Sequence, residues 1–167
     1  MFKTIVKRRV RARFVGPLSE GDADAMVKQT VPEVVHFFPG RGALSGTRHS
    51  REELRTWFGR LFHLIPRLQF AVDDIAVAGG LRHAHVVVRW HNWGEAADGG
   101  PYENTGCEVI EMRWGRVTWL GAYLDTELVS EALERMAAAG IEEAAAPPIG
   151  AAPVPARTEV ASGVPPG

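Results

Sequence analysis

The stretch YENTGCEVIEMRWGRVTWLGAYLDTELVSEAL, residues 102–133, decides how the chain folds. Tyr102 to Trp114 reads as a long strand, Trp114-Gly115-Arg116 as a tight turn, and Val117 to Leu124 as the returning strand. Asp125 or Thr126 then caps a helix whose Leu128, Val129, Leu133 and Met136 recur at helical spacing, and Gly140 ends it. A hairpin runs straight into an amphipathic helix with no residue to spare.

Working outward, Gln69 to Val77 and Arg82 to Trp93 are two more strand patterns. Before them Ser50-Arg51-Glu52-Glu53 is a capping box, in which hydroxyl and carboxylate each accept from an amide the helix leaves unpaired. It starts a helix carrying Leu54, Trp57, Phe58, Leu61, Phe62 and Ile65, which Pro66 closes. Val34 to Phe38 reads as a short strand ended by Pro39-Gly40. Asp22 is placed to cap a helix over Ala23 to Thr30, with Pro32 stopping it. In a first helix Ile5, Val6, Val10 and Phe14 fall near helical spacing beside Lys7, Arg8, Arg9, Arg11 and Arg13, and Pro17 and Gly21 end it. The expected class is α+β, with a four-stranded antiparallel meander at its centre. Residues 1–146 form the expected domain, and the Pro-, Ala- and Gly-rich stretch 147–167 reads as a disordered tail.

The 167 residues, 46% hydrophobic and 23% charged, suit one well-buried domain. A net charge of -1 gives no general attraction to nucleic acid or anionic membrane, so neither is an expected partner. The basic residues of the first helix read as its solvated face. The lone Cys107 has no intramolecular disulfide partner and reads as a small buried hydrophobe, which fits a reducing compartment. No apolar run reaches the roughly 18 residues of a membrane span, and the expected location is the cytoplasm.

Phe38-Pro39-Gly40, Ser45-Gly46-Thr47 before the long helix, Asn104-Thr105-Gly106, Trp114-Gly115-Arg116-Val117 and Tyr123-Leu124-Asp125-Thr126 occur in a telling order. In that order the chain resembles the SnoaL-like branch of the nuclear transport factor 2-like superfamily. The resemblance implies a cystatin-like cone, a curved antiparallel sheet packed on three helices around a cavity. Such families include ketosteroid isomerases, limonene-epoxide-hydrolase-like enzymes and SnoaL-type polyketide cyclases, and the fold alone does not transfer their reactions. Matched by motif, Phe14 stands at the isomerases' helical tyrosine and Phe38 at their base. Ile110 or a neighbour stands at the oxyanion-hole acid, unless Glu108 or Glu111 points inward instead. Ala122 stands at the acid of the epoxide hydrolases and cyclases, and Arg89-Trp90-His91 matches an Arg-x-Asp.

Strand alternation puts His83, His85, Val87, Arg89 and His91 on one face and Ala84, Val86, Val88, Trp90 and Asn92 on the other. Two layouts are open. In the first the apolar face enters the core and the histidines meet water. The resemblance implies a second, in which Val86, Val88 and Trp90 form a homodimer contact on the outer sheet face while Arg89 and His91 line the cavity mouth. On that layout His91 is the expected general base and Arg89 its electrophilic partner. Asp125 is either a helix cap or an acid. His36, Phe14, Phe38, Trp57, Asn104, Trp119 and Tyr123 are the expected substrate contacts. His83-x-His85 lacks a third ligand at a recognisable spacing, so no metal is expected, and no cofactor. The expected function is a cavity for a small, largely apolar organic molecule, with acid/base isomerisation, cyclisation or hydration as the reaction. The alternative is a binding or dimerisation module without chemistry.

Overall fold

The computed structural model describes residues 2–150. Six strands form one sheet in the order β2-β1-β6-β5-β4-β3: β1 (Thr30–Phe38), β2 (Gly46–Arg48), β3 (Gln69–Gly79), β4 (Ala84–Glu95), β5 (Pro101–Arg113) and β6 (Arg116–Leu124). All neighbours are antiparallel except β1 and β6, which run parallel. The meander β3 to β6 is therefore as the sequence reads. The sheet is mixed rather than antiparallel throughout, because β1 re-enters beside β6 after the chain has crossed the helices. Register shifts within β1–β6, β3–β4 and β5–β6 interrupt the ladders, and such bulges bend a sheet.

The helices α1 (Phe2–Val10), α2 (Gly16–Glu20), α3 (Ala23–Lys28), α4 (Arg51–Leu64) and α5 (Thr126–Ala138) pack around the concave side. Pro17 does not stop the first helix. A wide turn of π-helix, Arg11–Val15, joins α1 to α2, and Pro17 lies in the first turn of α2, where its missing N–H costs nothing. Gly21 ends the run at φ 69°, donating to Leu18 and Pro17 carbonyls. The second expected helix is shorter than its reading. Thr30 already belongs to β1, and Pro32 lies inside that strand, within the stretch where the β1–β6 register shifts.

The Ser50 half of the capping box forms as read, the Glu53 amide donating to Ser50 Oγ at 3.1 Å, while the Glu53 carboxylate reaches one residue further and accepts from the His49 amide at 2.6 Å. The tight turn carries Trp114 at φ 50° and Gly115 at φ 75°, the two positive values a twisted two-residue hairpin needs. Of the expected tail, residues 151–167 lie outside the described residues, and its first residues are held: Arg60 donates to the Pro147 carbonyl and Arg48 to that of Ile149.

The core lies between α4, α5 and the concave face, where Val34, Leu54, Leu64, Ile75, Val86, Val88 and Ile110 are fully buried. This settles the two layouts of β4. Val86, Val88 and Trp90 enter the core, and His85, Arg89 and Trp93 are exposed on the convex side. Burying three large apolar groups outweighs any arrangement that buries Arg89 and two histidines, since an unpaired charge in the interior costs far more.

Candidate functional site

A hollow of about 60 Å³ opens under α4 on the concave face. Its roof is Leu18 from α2, Leu44 from the loop after β1, and Trp57, Phe58 and Leu61 from α4; its floor is the sheet. His36 and Phe38 enter from β1, Trp90 and Asn92 from β4, Tyr102 and Glu108 from β5, and Leu120 and Ala122 from β6. Two small residues make the space. Ala122 is the cross-strand neighbour of Glu108, so little side chain covers the carboxyl from that side. Gly106 pairs with Trp90, and a Cβ there would come within 3.0 Å of the indole and closer still to the Tyr123 carbonyl, so only glycine lets the ring lie down.

Aromatic rings wall one side. The Trp57 ring meets His36 edge-on at 4.5 Å and Phe38 at 5.3 Å, Phe58 stacks over His36 at 6.3 Å, and Phe70 leans on Trp90 at 4.9 Å. Trp57 is fixed from behind, because its Nε1 donates to the Leu44 carbonyl at 2.8 Å.

Within this apolar wall sits Glu108. Burial pushes its carboxyl up to about 8, since nothing among the described residues donates to it and the surroundings penalise the charge. At neutral pH it is therefore mostly a neutral acid. Burial, and secondarily the Arg48 guanidinium, hold His36 well below its ordinary 6.5, so its imidazole stays neutral too. Tyr102, pushed up to about 12 by burial, is a phenol throughout. The hollow thus presents an acid, a base and a phenol, all uncharged, between largely apolar walls.

The other expected site residues divide sharply. His36, Phe38 and Trp57 meet at the hollow. Arg89 and His91 belong to the other side of the sheet: Arg89 is exposed, and His91 Nδ1 lies 2.9 Å from Asp73 Oδ1 there. Trp119 and Tyr123 also face outward, with the Trp119 ring lying flat over Gly121 where a Cβ would meet it at 2.1 Å. Asp125 caps α5, accepting from the amides of Glu127 and Leu128 at 3.0 and 3.3 Å. Asn104 is buried but structural: its side chain donates to the Asp125 carbonyl at 2.8 Å and accepts from the Asp125 amide at 3.2 Å, pinning the start of α5 to β5. The side chain of Phe14 lies outside the described residues.

Asn92, Trp90 and Tyr102 carry no site reading in the sequence, and Glu108 enters there only as an inward alternative to Ile110, which the hollow bears out for Glu108. Glu108 had one sequence signal: it shares a face with Ile110, so an inward Ile110 takes Glu108 inward with it.

A second space of about 240 Å³ lies under α1, lined by Val6, Val10, Ile110, Met112 and Val117 with Arg9 and Gln29. It is roomier, yet no buried titratable group lines it. Among the described residues no trio of His, Cys, Asp or Glu is placed to hold a metal ion, and no helix is long and apolar enough to cross a membrane.

The profile of the SnoaL-like domain family matches residues 12–120, more than half of the chain. The protein is a member of the SnoaL-like domain family. Solved structures agree on the fold. PrhC from Penicillium brasilianum superposes with a TM-score of 0.67 at 18% identity, over 84% of this chain and 92% of PrhC. BvnE pinacolase from Penicillium brevicompactum gives 0.64 at 24% identity, over 77% of this chain and 92% of BvnE. An NTF2-like protein from Burkholderia xenovorans gives 0.60 at 17% identity, over 79% and 97%. No curated protein matches this SnoaL-like chain in sequence. At these identities the likeness shows the shared cone and leaves the reaction to the side chains inside it.

Proposed function

We propose that this SnoaL-like protein takes a small, largely apolar organic molecule into the hollow and exchanges a proton with it through Glu108, in an isomerisation, cyclisation or hydration. One observation carries the reading: a buried carboxyl that lines an aromatic-walled hollow, flanked by Val88 and Ala122 and without a hydrogen-bond donor among the described residues, and so held largely protonated at neutral pH. Such a group is costly to keep in a core, and sites of proton transfer are where burial of this kind recurs. The neutral acid gives its proton to an oxygen of the guest as negative charge develops there, and the neutral His36 imidazole, on β1 across the hollow, takes a proton from the guest. When Glu108 recovers a proton from His36 or solvent, the cycle closes with no net change in the protein. That a neighbour of the same fold, BvnE, is a pinacolase supports small-molecule chemistry in such a cone.

A thermal-shift screen of apolar carbonyl and hydroxyl compounds tests this. Hits are expected to raise the melting temperature of the wild type by a few degrees, as binding at ~100 Kd does. They are expected to leave Ala122→Leu unmoved, because the larger side chain fills the space beside Glu108. Equal shifts in both proteins would place binding elsewhere and end the reading.

We further propose that the convex face is a contact between two copies. Val87 and Tyr123 are exposed there, next to the half-buried Phe37, Val109 and Trp119, which is more apolar surface than a sheet face turned to water needs. In light scattering after size exclusion the wild type is expected to run as a dimer, and Val87→Glu, which puts a charge at the middle of the face, as a monomer. A monomeric wild type would sink the proposal.

A further inference from the structure

The space under α1, about 240 Å³ against about 60 Å³ for the hollow, shares no lining residue with it. Its origin is local. α1 buries Val6 and Val10, one helical turn apart, and the sheet side of the lining includes Ala84 at the start of β4 and Val117 near the start of β6. Valine and alanine are short, so helix and sheet stay apart where leucine or phenylalanine would meet. Native interiors seldom leave a void larger than a water molecule. An apolar space of this size offers water few partners and accepts a hydrocarbon group instead.

The lining also says what enters. Ile5 and Leu81 belong to it yet are 42% and 57% exposed, so two aliphatic side chains stand at the rim, where a chain-like guest would pass between them. Arg9 is the one cation among the lining residues, and no acidic side chain is among them. It is exposed on α1 and forms no ion pair among the described residues. Gln29 is the other polar side chain of the lining, and its carbonyl accepts from the Val117 amide at 3.0 Å, which fixes its backbone against β6. An apolar interior with one guanidinium and one amide describes a chain with a single anionic head. A carboxylate fits best, because its two oxygens match the flat fork of arginine. The volume sets the length: at the ~30 Å³ that a water-sized group occupies, the space holds about eight carbon atoms.

We propose that this space is a second binding site, for a medium-chain alkyl carboxylate whose chain lies between Val6, Val10 and the sheet and whose carboxylate sits at Arg9 by the rim. The proposal is independent of proton transfer in the hollow. Burial of the chain supplies the affinity, about fourfold for each methylene taken from water. The exposed ion pair adds little to that and chooses the head group.

NMR titrations at pH 7 with octanoate, butanoate, dodecanoate and octylammonium test this, and these charged probes lie outside the apolar screen of the hollow. Octanoate is expected to bind about 100-fold more tightly than butanoate, which has four fewer methylenes to bury. Dodecanoate is expected to bind no more tightly than octanoate, because its further carbons find no room. Octylammonium, the same chain with the opposite charge, is expected to bind at least about tenfold more weakly, and Arg9→Glu, a change at an exposed position, to reverse that preference. NOEs from the octanoate chain to the methyl groups of Val6, Val10, Ile110 and Val117 are expected in the wild type, a readout that needs no variant. Ala122→Leu, which fills the hollow, is expected to leave octanoate binding unchanged. NOEs to Leu61 and Leu120 instead, with binding lost in Ala122→Leu, would put the acid in the hollow: the second site falls and the reading of the hollow stands. Equal affinities for octanoate and butanoate, or for octanoate and octylammonium, would overturn the proposal as well. So would the absence of any binding, which leaves the hollow to its own screen.

Discussion

Replacing Glu108 with glutamine is expected to stabilise the protein at pH 9 by several kcal/mol while leaving its stability at pH 4 nearly unchanged. The sign follows from the raised carboxyl. Below its ordinary value of 4.5 Glu108 is neutral in the folded and unfolded chain alike, and stability has its full value. Between 4.5 and about 8 the unfolded chain releases the proton while the folded protein keeps it, so stability falls as pH rises. Above about 8 both forms are ionised and the loss is complete, at most about 5 kcal/mol at 1.36 kcal/mol for each pH step of the gap. Glutamine has nearly the same shape and no proton to lose, so its curve lacks this slope. His36 acts in the opposite sense: held below 6.5, it weakens the fold as pH drops beneath that value, and it does so in both proteins. Subtracting the two urea-denaturation curves from pH 4 to pH 9, at one protein concentration, isolates Glu108. Parallel curves would show a carboxyl that ionises like a surface group, and the proton donor of the proposed reaction would be gone. The same substitution is expected to lower turnover of any substrate found by about 100-fold or more, the usual worth of a positioned acid.

The fold could be read because its punctuation is local. Ser50 with the Glu53 amide, Asp125, and the Trp114-Gly115 pair each use chemistry contained within four residues, and each does in the structure what its spacing requires. The parallel pairing of β1 with β6 could not be read that way, since it joins residues more than eighty positions apart, such as His36 and Leu120. Pro32 misled for a related reason: a proline breaks a helix wherever it falls, but a strand tolerates it where no partner needs its N–H.

The site was legible in part. His36 and Phe38 alternate cleanly on β1, and Trp57 lies on the apolar stripe of α4, so all three reach the hollow. On β4 the plain alternation was the better guide, because three buried apolar side chains decide a strand's face more firmly than the position of Arg89 and His91 in a related motif. On β5 the two faces look alike in sequence. Asn104, Glu108 and Ile110 share one, Cys107, Val109 and Glu111 the other, and a carboxylate normally marks the wet side. Only Ala122 and Val88 as cross-strand neighbours show that Glu108 is the inward one, and that pairing is a property of the assembled sheet.

Arg48→Met is expected to be among the most damaging single changes in the protein, although Arg48 touches no guest. Arg48 is 0% exposed, and its guanidinium donates to five carbonyls: Leu44, Ser45, Gly46, His36 and Ile149, the shortest at 2.6 Å to Gly46. It also lies over the Trp57 ring at 5.4 Å. One fork of N–H groups thus closes the loop before β2, holds the strand that carries His36, backs the ring that walls the hollow and fastens the segment after α5. Burial lowers its pKa to about 10, which leaves it charged at neutral pH. Methionine matches the apolar stem and supplies no donor, so several buried carbonyls lose their partner at once. The expected loss is roughly 3–5 kcal/mol, the range seen when one side of a buried charged network is removed. For a domain of this size that is about 10 °C in melting temperature. Lysine keeps the charge but not the planar fork, and is expected to recover less than half of the loss. A second readout separates support of the site from bulk stability. With the neighbouring cation gone, the His36 ring is expected to titrate at higher pH in Arg48→Met than in wild type, because one of the two influences that depress it has been removed. A variant as stable as the wild type, with His36 unmoved, would mean that the loop, the strand and the wall stand without their common tie.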